Sequence, residues 1–223
     1  MSNDNKSAYD SSIYDEHIVN VLPYYREYHK QIMDLVRISK QGNVDWLDTG
    51  CGTGVLAAGV LEEICDVRFT LCDPSLSMLD IAKKRLEGKD VRFINAASHE
   101  FSFEAEFDII TAVQCHHYYK PDERENAVAN CYKALRDGGI FITFENIKMS
   151  TDVSDDIAMK RWIDFLREHG NSEEDVKKQI DRRGVETLPI TIEQHLELLK
   201  KVGFKSVDIL WASYLQAGFM AVK

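Results

Sequence analysis

Val44-Asp45-Trp46-Leu47-Asp48-Thr49-Gly50-Cys51-Gly52-Thr53-Gly54 is the stretch on which the fold turns. Its first half, 44–48, reads as a short strand, and the alternate glycines that follow break it. From Val55 to Ile64 the pattern is helical. A strand, a glycine turn and a helix in that order form the unit at which an open α/β sheet binds its ligand. Glycines in such a turn let the backbone approach a ligand closely and adopt conformations that other residues avoid. The spacing is GxGxG, whereas the dinucleotide fingerprint needs GxGxxG. A nicotinamide cofactor is therefore disfavoured. Asp48, just before the turn, supplies an anion suited to a ligand that carries an ammonium group.

Working outward, 67–72 reads as a second strand ending at Asp73-Pro74, and Ser75 caps a helix running to about Leu86. A carboxylate at that strand end can accept hydrogens from both hydroxyls of a ribose. A third strand (91–95), a fourth (107–113), a helix (122–135) stopped by Asp137-Gly138-Gly139, and a fifth strand (140–144) continue the alternation. Strands alternating with helices predict a mostly parallel sheet covered on both faces. The expected fold is a doubly wound, three-layer, Rossmann-like α/β domain. Its seven-stranded sheet is mostly parallel, with an antiparallel last strand. Residues 148–187 interrupt the alternation, highly charged and helical, with Trp162, Ile163 and Leu166 as an apolar stripe, and read as an inserted helical cap. Thr191 caps a last helix, Gly203 ends it, and two strands (206–211 and 215–222) follow. Upstream, within 1–40, Pro23 divides a helical pattern into two pieces, and the first dozen residues read as loose. The whole of 1–223 reads as one domain.

At 223 residues the chain can bury a full core, and its hydrophobic share of 44% is a globular value. The net charge of -10 disfavours a nucleic-acid partner, which needs a basic surface to meet phosphates. Five cysteines, without a CxxC pair, read as reduced thiols of a cytoplasmic protein. No run approaches a membrane span. A homodimer is compatible with this chain, although no particular residue argues for one.

With the glycine loop and Asp73 in place, the chain resembles the class I S-adenosyl-methionine-dependent methyltransferases from Val44 to about Asn146. The resemblance implies S-adenosyl-methionine as cofactor. Gly50, Cys51 and Gly52 would line its methionine part, Asp48 would precede them, and Asp73 would hold the ribose. Pro74 and Met78 would border the adenine, with the backbone of Ala97 and Ser98 at the adenine edge. Many relatives carry Asp where Ala97 stands, so one contact to the adenine amine is expected to be missing. Val113 and Gln114 would offer backbone oxygen to the ligand's ammonium. The two ends, Leu22-Pro23-Tyr24-Tyr25 and Leu210-Trp211 with 218–223, resemble the carboxy-S-adenosyl-methionine synthases, in which Tyr25 would reach the ligand. That family's glycine loop has Ser in place of Gly52. Its substrate-carboxylate arginine falls near Ile180, with Arg182 and Arg183 out of register.

Methyl transfer from a sulfonium is an in-line displacement that needs a base only when the acceptor must lose a proton. His117 is the candidate base, because its loop follows the fourth strand on the ligand side and imidazole titrates near neutrality; packing of the loop is the rival role. His116, Tyr118, Glu145, Trp162 and Tyr214 are candidates for the substrate wall, and Trp211 joins them. Glu145 faces either the acceptor or solvent, and His29, one turn beyond Tyr25, either the same pocket or solvent. Adjacent His116 and His117 lack a third ligand, so no metal is expected. The reading is a methyltransferase acting on a small molecule. Two alternatives stay open: a carboxy-S-adenosyl-methionine synthase, and a non-catalytic cofactor sensor or partner subunit.

Overall fold

A computed structural model describes Asp4 and residues 11–39 and 42–223. The expectation of a loose start falls largely on residues outside these. In the described part, β1 (Val44–Thr49), β2 (Val67–Cys72), β3 (Val91–Ile94), β4 (Phe107–Val113), β5 (Leu135–Lys148), β7 (Ser206–Ser213) and β8 (Gln216–Val222) form one sheet in the order β3-β2-β1-β4-β5-β8-β7. The neighbours from β3 to β5 pair in parallel, and β8 runs antiparallel to both β5 and β7. A two-residue strand, β6 (Ile190–Thr191), adds to the far end of β5. The expected seven strands and antiparallel last strand are thus present.

Both faces of the sheet are covered, which is why its strands are apolar at consecutive positions. Side chains alternate across a strand, so Trp46 and Ile109 enter one layer while their neighbours Leu47 and Ile110 enter the other. The first layer is filled by α2 (Tyr25–Ser39) and α3 (Val55–Glu63) through Ile32, Val36, Leu56 and Val60. The second is filled by α5 (Pro121–Ala134) and α8 (Ile192–Val202) through Val128, Cys131 and Leu199. Hydroxyl caps start the helices as the sequence predicts: Ser75 accepts from Met78 N at the head of α4 (Leu76–Arg85), and Thr191 accepts from Gln194 N at α8.

One expectation is corrected here. The fifth strand starts at Leu135, directly after α5 ends at Ala134, and not at Ile140. Its ladder with β4 is nonetheless broken at the glycines: Leu135 pairs with Phe107, pairing resumes at Ile140 with Ile109, and Gly138 between them takes φ 73.

The inserted segment forms α6 (Asp152–Glu168) and α7 (Glu173–Arg182). It lies over the carboxyl ends of the strands against α1 (Tyr14–Val21). Trp162 Nε1 donates to the Val21 carbonyl at 2.9 Å, and Leu188 N donates to the His117 carbonyl at 2.7 Å. The apolar stripe read from the sequence supplies this docking: Trp162 and Leu166 are buried against α1.

Candidate active site

The strand order reverses between β1 and β4, and the loops that leave these two strands open a crevice at their carboxyl ends. The glycine loop forms one wall. Gly50 N and Cys51 N donate to the Cys72 carbonyl at 2.7 and 3.1 Å, which pins the loop to the end of β2. Gly50 takes φ +66, and a Cβ there would stand 2.4 Å from Cys115 Cβ, so this position admits only glycine. Asp73 bridges the loops: Oδ2 accepts from Gly52 N at 2.9 Å and Oδ1 from Ser75 N at 2.8 Å.

A cleft of about 1080 Å³, part of it open to solvent, runs from Gly50, Gly52 and Asp73 past Pro74, Met78 and Ala97 to His99, Glu100 and Tyr119. A smaller recess continues it around Tyr25, His29, Asp48 and Cys51. Val113 borders both and Gln114 borders the cleft. His29 therefore belongs to the recess wall and is not a surface residue; burial drives its pKa down to about 4.

Two acids define the electrostatics of this crevice. Asp48 is 2% exposed and accepts from Thr111 Oγ1 at 2.7 Å, while Thr111 Oγ1 in turn accepts from Trp46 Nε1 at 2.9 Å. Burial pushes Asp48 up to about 7, against the Thr111 hydrogen bond and with help from the Asp73 charge. Burial likewise raises Asp73 to about 6, opposed by its two backbone donors. Two buried carboxylates without a cation among the described residues call for a positively charged ligand.

A second cavity of about 660 Å³, also partly open, lies on the other side of Tyr14, Gln114 and Tyr118, the three residues that border both spaces. Ile18, Val21, Leu22, Trp162 and Leu215 make it apolar on one side; His117, Asn146, Gln179, Arg182 and Gln216 make it polar on the other. Arg182 is 8% exposed, pairs with Glu186 through Nε at 2.7 Å, and hydrogen-bonds Tyr118. Gln216 Nε2 donates to Asn146 at 3.2 Å, while its buried Oε1 has no partner among the described residues.

Residues 47–139 match the family model described as a methyltransferase domain. Over 222 residues the chain is 28% identical to the carboxy-S-adenosyl-L-methionine synthase of Staphylococcus epidermidis, covering 98% of this chain and 96% of that protein. The chain carries a class I S-adenosyl-methionine-dependent methyltransferase domain. The carboxy-S-adenosyl-L-methionine synthase of Campylobacter lari is 25% identical, covering 92% of this chain and 88% of its own. Phosphoethanolamine N-methyltransferase 2 of Haemonchus contortus, solved with phosphomonomethylethanolamine and S-adenosylhomocysteine, shares the fold. Its TM-score is 0.68 at 16% identity, covering 96% of this chain and 57% of that one.

The residues of this methyltransferase domain fit its cofactor. The Asp48 and Asp73 carboxylates, which meet no cation among the described residues, suit a ligand with an ammonium and a sulfonium. Gly52, at φ +54 with no atom of the described residues within 4 Å of a would-be Cβ, leaves the loop open on that side.

Several expected site residues lie elsewhere. Ser98 is buried behind the cleft wall, bonded to Thr49 and His116, because its hydroxyl closes an internal network. His116 turns into the second core layer, stacked on Phe141, and burial lowers it to about 4. Tyr214 packs outward under Arg161, and Trp211 packs on Tyr28. Glu145 reaches neither acceptor nor solvent: it is fully buried behind His117. Tyr118 and Trp162 do line the second cavity.

The sequence reading missed Tyr14, Arg182 and Gln216, which no local motif marks. On the cleft wall, Glu100 Oε2 accepts from Ala97 N at 2.8 Å, placing a carboxylate beside that position.

Proposed function

We propose that this protein transfers the methyl group of S-adenosyl-methionine to a small acceptor bearing a carboxylate or similar compact anion. The observation that carries the reading is the pair of adjoining spaces. A cleft fitted to the cofactor meets a separate cavity at Tyr14, Gln114 and Tyr118, and that cavity holds the Arg182 guanidinium and the unpaired Gln216 Oε1. Guanidinium is the side chain best suited to hold a planar carboxylate, and an unpaired buried acceptor awaits a donor. S-adenosyl-methionine supplies an electrophilic methyl group. The chain contributes the acids that hold the cofactor, the walls that exclude water, and the alignment of acceptor with methyl. The chain, 1–223, works as one domain whose cap, 148–187, selects the acceptor. Its free thiols suit the cytoplasm, and its acidic balance suits a small-molecule acceptor more than nucleic acid.

Calorimetry with S-adenosyl-homocysteine tests the cofactor. Micromolar binding is expected, and Asp73→Ala should weaken it by about 1–3 kcal/mol as the ribose contact is lost. Unchanged affinity in a folded variant removes Asp73 from the site.

A second reading, a carboxy-S-adenosyl-methionine synthase, is favoured by the relatives that match nearly the whole chain. The fold adds an observation to it. Ile180, the position aligned with the carboxylate arginine of that family, faces an outer groove with Met159, while Arg182 enters the inner cavity. Incubation with S-adenosyl-methionine and prephenate, followed by mass spectrometry, separates the two readings. A prephenate-dependent carboxylated cofactor establishes the synthase, and its absence leaves methyl transfer.

A further inference from the structure

Glu145 is a carboxylate with no exposed surface and four donors. Its Oε1 accepts from Thr143 Oγ1 at 2.8 Å and from His116 N at 3.1 Å. Its Oε2 accepts from His117 N at 3.0 Å and meets His117 Nδ1 at 2.7 Å. Burial alone would raise its pKa; the hydrogen bond from His117, with the neighbouring His116 and His195 rings, outweighs that and holds it below the usual carboxylate range. An ionised carboxylate only accepts hydrogen bonds. The 2.7 Å contact with Glu145 outweighs the 3.5 Å approach of Asn146 N to the same Nδ1, so the proton of a neutral His117 ring sits on Nδ1 and the lone pair on Nε2.

His117 itself is 2% exposed and stands in the wall of the second cavity. Nε2 has no partner among the described residues. The charged and titratable groups around it come from every neighbouring element: Glu145 on β5, the adjacent His116, Arg124 on α5, Arg182 on α7 with Arg183 just beyond it, His195 on α8 and Tyr14 on α1. Arg182 shares its cavity, and Tyr118, next in sequence, borders both spaces.

We propose that Glu145 is a positioning residue that presents the Nε2 lone pair of His117 as proton acceptor, and that the acceptor molecule carries an ionisable O–H or N–H beside its anionic group. The inference rests on the methyl-transfer reading and names the substrate class of that site. In the step, the proton passes from the acceptor's O–H or N–H to Nε2. The freed lone pair bonds to the methyl carbon, and the bonding pair to sulfur stays on sulfur. The imidazolium then stands against the Glu145 carboxylate, which stabilises it as charge develops.

The test is nitrogen-15 NMR of histidine-labelled protein, which distinguishes ring tautomers without turnover. In wild type, His117 should carry its proton on Nδ1, with Nε2 in the unprotonated range. Adding 4-hydroxybenzoate should perturb Nε2, benzoate should perturb it less, and Arg182→Gln should abolish both responses. Glu145→Gln should mix the tautomers, and Glu145→Asp should restore the wild-type one. With any methyl acceptor found, His117→Gln should lower kcat about 100-fold, leave S-adenosyl-homocysteine affinity within about 2-fold, and remove the acid limb of the pH profile. A wild-type Nε2–H tautomer, or equal responses to the two probes, overturns the proposal whether or not the variants fold. Failure of S-adenosyl-homocysteine to bind instead overturns the underlying reading, so the two failures are distinct.

Discussion

Asp48 and Asp73 are acids that the fold buries before any cation arrives, and their behaviour makes a prediction at the scale of single residues. Their pKa values stand at about 7 and about 6 in the free protein, raised first by burial. A bound ammonium favours the ionised form and lowers both. Binding therefore releases protons at pH values below about 7, and affinity rises as pH rises toward that value. Between pH 5.5 and pH 8, S-adenosyl-homocysteine affinity should increase about 10-fold or more by calorimetry and then level off. Asp48→Asn, which cannot titrate, should flatten the upper part of this rise. An affinity independent of pH in wild type would mean that neither acid meets the ligand's charge.

At the scale of the element, the β1–α3 turn uses its glycines for two different reasons. Gly50 is confined by Cys115 and by its left-handed backbone, whereas Gly52 has the same backbone hand but empty space at its Cβ position. A side chain in that conformation costs about 1–3 kcal/mol. Gly50→Ala should therefore lower stability by more than that in urea denaturation and also lose cofactor binding. Gly52→Ala should cost only about 1–3 kcal/mol of stability, with its larger effect on affinity, since the added methyl points at ligand space. Equal losses in the two variants would show that the loop responds only to strain.

Across the whole molecule, the two spaces are roofed by parts far apart in the chain. Helix α1 contributes Tyr14 and Ile18, and the cap contributes Trp162 and Arg182. Helix α1 is also tied to the cofactor side: Asp15 accepts from Thr53 Oγ1 at 2.6 Å and pairs with Arg85. A ligand that completes this site should stabilise the protein as a unit. Saturation with S-adenosyl-homocysteine at 100-fold its Kd is expected to add about 2.7 kcal/mol. Hydrogen exchange should slow in α1 as well as in the glycine loop. Protection limited to the loop would show that α1 is not part of the cofactor's enclosure.

Much of this was legible in the chain itself. Strand and helix periods are local, so the order of elements, the glycine loop and the acids at the strand ends followed from nearest neighbours in sequence. These set the fold class and the cofactor side, from Asp48 to Asp73. The second cavity was not legible, because its walls meet only after folding. Ile180 and Arg182 are two positions apart on one helix, about 200° around its axis, so alignment register could not say which faced inward. Glu145 and His117 are separated by 28 positions, and only the pairing of β4 with β5 brings them together. Local patterns in the chain are enough to specify a doubly wound methyltransferase-type sheet with its glycine loop. Folding alone brings Arg182 into the second cavity and Glu145 behind His117. Local periodicity encodes elements, whereas a cavity is made by contacts between residues that the chain holds far apart.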